Sequence, residues 1–135
     1  MSRYKIIDHT ADIGIEVEGD SLEEIFFQSY KGLYEIAGIK KETTGEKGKF
    51  EIKADTLEEL LIKFLNELIY YIYVKNKFWE IKKLEIEMNK KLKIKIEGNS
   101  GKINKFEREI KAATYHNISI KKENGIFKAT IIFDL

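Results

Sequence analysis

An α+β sandwich, with two amphipathic helices packed on a mostly antiparallel β-sheet, follows from three observations on the 135-residue sequence. Two segments with apolar residues at helical spacing follow near-identical start signals, Asp20-Ser21-Leu22-Glu23-Glu24 and Asp55-Thr56-Leu57-Glu58-Glu59. From Trp79 to the end the apolar residues instead recur every second position, the period of strands with one buried face. Asn124-Gly125 then supplies a hairpin turn, because both of its positions tolerate positive φ. Helices and strands of this kind bury their apolar sides against one another in layers.

The elements follow in order. Residues 4–7 and 13–18 read as strands on either side of the polar elbow Asp8-His9-Thr10-Ala11-Asp12. Gly19-Asp20 ends the second strand. Ser21 with Glu24 then forms a capping box, in which the serine oxygen takes an unpaired N–H of the first turn. The helix places Leu22, Ile25, Phe26, Leu33, Ile36 and Ala37 on one face and stops at Gly38. Lys40 to Lys49 reads as a polar loop, and Phe50, Ile52 and Ala54 alternate as a strand. The second helix buries Leu57, Leu60, Leu61, Phe64, Leu65, Leu68, Ile69 and Ile72. The repeated helix starts, 35 residues apart, suggest two strand–turn–helix units.

Leu84, Ile86 and Met88 then alternate, Asn89-Lys90 turns the chain, and Leu92, Ile94 and Ile96 return. Gly98-Asn99-Ser100-Gly101 reads as a mobile loop. Glu109 to His116 leads into Ile118 and Ile120, and Phe127, Ala129, Ile131 and Phe133 face one way in the last strand. No linker or second apolar cluster interrupts residues 1–135, so a single domain is expected.

Composition narrows the function. With 43% hydrophobic and 35% charged residues the chain reads as an ordinary globular protein. The absence of cysteine excludes disulfides and thiolate metal sites. No run of 18 apolar residues and no signal-peptide pattern appear, so a cytoplasmic protein that does not span a membrane is the expectation. The net charge is +1 and Arg3 and Arg108 are the only arginines. That scarcity argues against base readout through arginine forks and leaves room for a local lysine patch. Neither G-x-x-x-x-G-K-[ST], G-x-G-x-x-G nor G-x-S-x-G occurs, so no standard nucleotide-binding loop or serine nucleophile is encoded.

The acidic elbow is the best candidate site. If the first and last strands lie near one another, Asp8 or Asp12 would converge with Asp134 and the terminal carboxylate of Leu135. Two such charges about 4 Å apart repel by roughly 4 kcal/mol at an effective dielectric of 20, which calls for a cation. An all-oxygen set selects calcium or magnesium over zinc. The plainer alternative is that the aspartates make local turn hydrogen bonds and His9 pairs with a carbonyl. His9 and His116 could together serve a transition metal, although separate structural roles account for them more simply. Lys111, flanked by Ile110 and Ala112, would need burial or a carboxylate neighbour to be more than a solvated charge. Tyr70, Tyr71, Tyr73, Phe78 and Trp79 read mainly as core packing, with some left for a partner surface.

His9-Thr10-Ala11-Asp12, Gly19 to Glu24, Ile110-Lys111-Ala112-Ala113-Thr114-Tyr115-His116 and the closing Phe133-Asp134-Leu135 resemble the archease family, collinearly across essentially the whole chain. The resemblance implies a protein factor that assists an RtcB-type tRNA-splicing RNA ligase and is not itself an enzyme. That ligase joins a 3′-phosphate or 2′,3′-cyclic phosphate end to a 5′-hydroxyl through a guanylylated histidine. Archease promotes the guanylylation, permits multiple turnover and broadens nucleotide use. The resemblance also implies calcium held by Asp12, Asp134 and Leu135, and an activity-related lysine at Lys111. His9 and His116 fall on the family pattern as further activity-related positions. Departures are small: the chain ends Asp-Leu where Asp-Ile is expected, and Phe127 replaces a common tryptophan. The competing readings are a metal-dependent hydrolase of nucleotides or RNA, and a general chaperone.

Overall fold

A computed structural model describes residues 2–8, 12–41 and 45–135, with the backbone alone for Lys41. Among them the chain runs β1 (Arg3–Asp8), β2 (Asp12–Gly19), α1 (Leu22–Ala37), β3 (Lys40–Lys41), β4 (Glu46–Ala54), α2 (Leu57–Tyr73), β5 (Lys77–Met88), β6 (Leu92–Lys105), β7 (Ala112–Glu123) and β8 (Ile126–Asp134). The strands form two antiparallel sheets rather than one. The first has the order β1-β2-β8-β7; in the second, β6 pairs β4 and the short β3 on one side and β5 on the other.

Both helices start as their sequences dictate. The Ser21 hydroxyl accepts from the Glu24 N–H at 3.1 Å, and the Thr56 hydroxyl accepts from the Glu59 N–H at 3.1 Å. Gly38 ends α1 in the left-handed region at φ 64°, its N–H returning to the Tyr34 and Glu35 carbonyls. In α2 the buried set includes Ile62 as well as Leu60, Leu61, Phe64, Leu65, Leu68, Ile69 and Ile72. That spread is wider than one face, because α2 lies against β7 of the first sheet and against β4, β5 and β6 of the second. Phe26 of α1 and Phe64 of α2, both fully buried, meet with ring centroids 5.7 Å apart.

The two strand–turn–helix units correspond in space. In the first sheet Val17 lies opposite Ala129 and Ile15 opposite Ile131. A shift of 35 residues in each strand turns these into Ile52 opposite Ile94 and Phe50 opposite Ile96, the observed register of the second sheet. The caps agree too. Glu23 of α1 accepts from the Ile86 N–H in β5, and Glu58 of α2 accepts from the Ile120 N–H in β7, each at 3.3 Å. Each helix therefore follows a strand of one sheet and reaches across to an edge strand of the other.

Three expectations need correcting. Gly98 to Gly101 is no loop: these residues continue β6, pairing with Phe78 to Ile81 on one side. The glycine there serves the bulge between Ile81 and Lys83 of β5, since a Cβ at Gly98 would stand 2.2 Å from the Glu80 carbonyl oxygen. Tyr30 and Tyr34 of α1 hold the same stretch. The Tyr30 hydroxyl donates to the Trp79 carbonyl at 2.7 Å, and the Tyr34 hydroxyl accepts from the Trp79 N–H at 2.8 Å. Of the expected loop over Lys40 to Lys49, residues 40–41 form β3 and residues 46–49 belong to β4, while residues 42–44 lie outside the described residues. The first strand is also not beside the last, because β2 lies between β1 and β8. At the Asn124-Gly125 turn both residues do adopt positive φ, 52° and 80°.

Gly98→Ala should cost at least about 2 kcal/mol of stability, read as a lower urea midpoint at unchanged slope, since the methyl group meets backbone that cannot yield cheaply. Gly125→Ala meets nothing within 4 Å and should cost only the left-handed backbone penalty, about 1 kcal/mol. Equal losses would mean that the β5 bulge adjusts freely.

Candidate functional site

The apolar alternation of β2 and β8 places Ile13 opposite Phe133 and Ile15 opposite Ile131 in the core. One position beyond, the same register sets Asp12 directly opposite Asp134. Residues opposite one another share a face of the sheet, so two carboxylates are brought together at the strand end. Asp12 is half-buried and Asp134 is exposed. In water the repulsion at about 4 Å falls towards 1 kcal/mol, so the pair can fold without a cation while still favouring one. Asp8, exposed at the end of β1, lies opposite Ile13 and not opposite an acid.

Of the carboxylates expected to converge, the strand register brings Asp12 and Asp134 into direct opposition. Among the described residues no three His, Cys, Asp or Glu side chains come together. Leu135 follows directly, with its side chain packed against the core. Two opposed aspartates, both hard oxygen donors, fit a calcium or magnesium ion that completes its shell with further oxygens and water. They do not fit a soft metal.

Lys111 comes to the same end through the backbone. Its N–H donates to the Asp134 carbonyl at 2.9 Å, and Ala112 pairs opposite Asp134. The Lys111 side chain is exposed. It lines a hollow of about 450 Å³ with Asn66, Ile69, Tyr70, Tyr73 and Val74 of α2 and its end. The segment before it is tied down. Glu107 and Arg108 donate their N–H groups to the Ala37 carbonyl at 2.9 and 3.1 Å, and the Tyr73 hydroxyl donates to the Arg108 carbonyl at 2.6 Å. Burial pushes the Tyr73 hydroxyl up to about 12, so it stays a donor at neutral pH.

Asn66 was not foreseen from the sequence. Its side-chain amide donates to the Ala113 carbonyl at 3.1 Å, and its oxygen accepts from the Ala113 N–H at 2.7 Å. Both outward backbone groups of an edge strand are thereby occupied by a helix side chain, next to Asp134. The available signal was an asparagine, a poor helix former, in the middle of an otherwise strong helix.

His116 stands in a different setting from the one expected of a plain strand. Between Thr114, opposite Ile132, and Ser119, opposite Thr130, β7 bulges outward, with Asn117 at φ 55°. Tyr115 is 55% exposed and His116 is exposed. The Thr114 hydroxyl anchors the bulge by donating to the Ile132 carbonyl at 3.0 Å and accepting from the His116 N–H at 3.3 Å. His9 lies outside the described residues, so no pairing of the two histidines is described.

Of the aromatics, Phe78 and Trp79 are core, and Tyr71 packs on Phe50 and Trp79 with centroids 5.7 Å from each. Tyr70 is 43% exposed.

Comparison with known proteins covers the same span. Residues 4–135 match the model of the Archease protein family (MTH1598/TM1083). Proteins named "Protein archease" from Pyrococcus abyssi and Methanosarcina mazei are 35% and 30% identical, covering 100% of both chains and 98% and 96% of the two chains respectively. The solution structure of Methanobacterium thermoautotrophicum protein 1598 superposes with a TM-score of 0.76 at 26% identity, over 98% of each chain. The crystal structure of an archease, described as a possible chaperone, from Thermotoga maritima gives 0.69 at 30% identity, over 97% of this chain and 96% of that one.

Asn66→Ala should strand the Ala113 N–H and cost about 1–3 kcal/mol. Faster amide hydrogen exchange at Ala113 and Thr114 than elsewhere in β7 and β8 would locate the loss at the clamp; uniform change across the sheet would contradict it.

Proposed function

The chain belongs to the archease family, and from that premise we propose that it activates an RtcB-type tRNA-splicing RNA ligase, with the acidic strand end as its working surface. The observation that carries this reading is the direct opposition of Asp12 and Asp134, with Lys111 hydrogen-bonded to the Asp134 backbone. Carboxylates held on paired strands, with an exposed lysine tied to one of them through the backbone, give a preorganised polar surface suited to another protein's active-site mouth. The sequence supplies no nucleotide-binding loop, which supports action on a ligase rather than in its place.

Asp12, Asp134 and the terminal carboxylate of Leu135 would hold a calcium ion, or another hard divalent cation. When bound, the ion supplies positive charge at an end that is otherwise acidic. The protein's own residues do the rest. The β2–β8 register fixes the separation of the carboxylates, and Asn66 fixes the start of the strand that follows Lys111. In this reading the partner is the ligase, in the cytoplasm, and the outcome is faster ligase guanylylation, repeated turnover and wider nucleotide use.

Metal binding is checked by melting. At calcium a hundredfold above its Kd, the chain should gain about 2.7 kcal/mol over the chelator-treated form. Asp12→Asn and Asp134→Asn should gain none while melting normally without metal. An equal calcium shift in both variants would remove the carboxylate pair from consideration.

Ligase activation is checked by single- and multiple-turnover ligation with GTP and manganese, with and without the protein. Recovered multiple turnover, lost in Asp12→Ala and lowered by at least about tenfold in Lys111→Ala, is expected. No stimulation by the native chain would defeat the reading. Hydrolysis of RNA or nucleotide by the protein alone would replace it with the hydrolase alternative.

A further inference from the structure

The register that opposes Asp12 and Asp134 has its counterpart in the second sheet at Lys47 and Asn99. The charge there is reversed. A hollow of about 470 Å³ opens at this end of β4, β6 and β5, lined by Lys47, Lys49, Lys82, Asn99 and one carboxylate, Glu97, around Gly48 and Gly98. A second hollow of about 340 Å³ takes up the next residues of β4 and β6 and adds Lys75, Lys77 and Lys102, against Glu46. Strand alternation sets neighbouring residues on opposite faces, so the lysines wrap around the sheet end.

Six lysines face two glutamates across these hollows. Farther along the same sheet Lys93 and Lys95 are paired. Lys93 reaches Glu51 and Glu87 at 3.9 and 4.0 Å, and Lys95 reaches Glu87 at 2.9 Å. At the open end Lys82 contacts Glu80 at 2.5 Å, whereas Lys47, Lys49, Lys77 and Lys102 have no ion pair among the described residues. Tyr70 adds an exposed ring, with the Lys75 Nζ 5.8 Å from its centroid.

We propose that this lysine collar binds the phosphodiester backbone of RNA. Unpaired ammonium groups spread over two hollows contact successive phosphates as point charges, without the guanidinium forks that read bases. A compact triphosphate would need a cradle of backbone N–H groups. Here the glycines have other duties: Gly48 lies under Trp79 and Gly98 under the Glu80 carbonyl. An exposed tyrosine beside such a track gives a base a ring to stack on. The choice of RNA over another polyanion rests on the ligase reading above, while phosphate binding rests on the lysines alone. Placing the collar and the acidic pair at corresponding ends of two related sheets gives one chain separate contacts for a cation and for a polyanion.

The test uses the full chain without ligase and a short fluorescent single-stranded RNA of mixed sequence, followed by anisotropy across a salt series. Contact with about four phosphates predicts a slope of log K against log salt near −3. Lys47→Glu with Lys49→Glu should weaken binding at least about tenfold and flatten the slope by about 1.4. Lys121→Glu, on β7 of the other sheet, should stay within about twofold of the native chain.

No binding at low salt, or equal binding by the double variant, overturns the proposal. Displacement of RNA by stoichiometric GTP or tripolyphosphate also overturns it, in favour of a nucleotide site. RNA binding that persists in a chain unable to stimulate ligase upholds the collar while defeating the activator reading, so the two can fail separately.

Discussion

Pairing of β2 with β8 in one register decides the rest of this molecule. Ile13, Ile15, Val17, Ile131 and Phe133 are all buried to within 2% of full. A slip of one residue would turn one strand's set out to solvent. At about 2 kcal/mol for each buried side chain, a slip that exposed the β2 set would lose roughly 6 kcal/mol. Opposing two partly solvated carboxylates at the strand end costs about 1 kcal/mol. The hydrophobic term wins easily, and it carries Asp12 and Asp134 into opposition with it. The acidic site is therefore held by the core's packing, and a change that loosens the core would disperse the site as well.

The second sheet repeats this device with other side chains. Phe50 and Ile52 pair with Ile96 and Ile94 as Ile15 and Val17 pair with Ile131 and Ala129. The two hairpins differ in their turns. Asn124-Gly125 makes a two-residue connection between Glu123 and Ile126, and Asn89 to Lys91 make a three-residue one between Met88 and Leu92. Because the apolar pairs hold each register, the positions beyond them are free to differ. Asp12 opposite Asp134 in one sheet corresponds to Lys47 opposite Asn99 in the other. A common scaffold can thus carry opposite charge at its two strand ends without repacking.

Much of this was legible in the sequence, and the parts that were not share a cause. The caps at Ser21 and Thr56, the stop at Gly38 and the turn at Asn124-Gly125 are local signals, and each acts through neighbours within four residues. Gly98 misled because glycine marks both flexible loops and close backbone approach. Only the β5 bulge, 17 to 18 residues earlier in sequence at Ile81 and Glu80, separates the two meanings. The division into two sheets was hidden for a similar reason. Period-two alternation records which side of a strand is buried, and says nothing of which strand lies beside it. Asp12, Asp134 and Lys111 stood out by residue type; their common location came from pairing between residues more than 100 positions apart and from one backbone hydrogen bond.

The edge of β7 shows how the fold keeps its site from becoming a sticky surface. An unpaired strand beside two carboxylates would expose backbone donors and acceptors to any passing strand. Asn66 occupies both such groups of Ala113, and the next stretch, Tyr115 to Ile118, leaves the ladder altogether in a bulge. The exposed side chains here are Tyr115, His116 and, just before the strand, Lys111. The side chains presented at this edge are then an aromatic ring, an imidazole, an ammonium and carboxylates. Side chains of such varied chemistry can select what approaches them, whereas a bare strand edge accepts almost any extended chain.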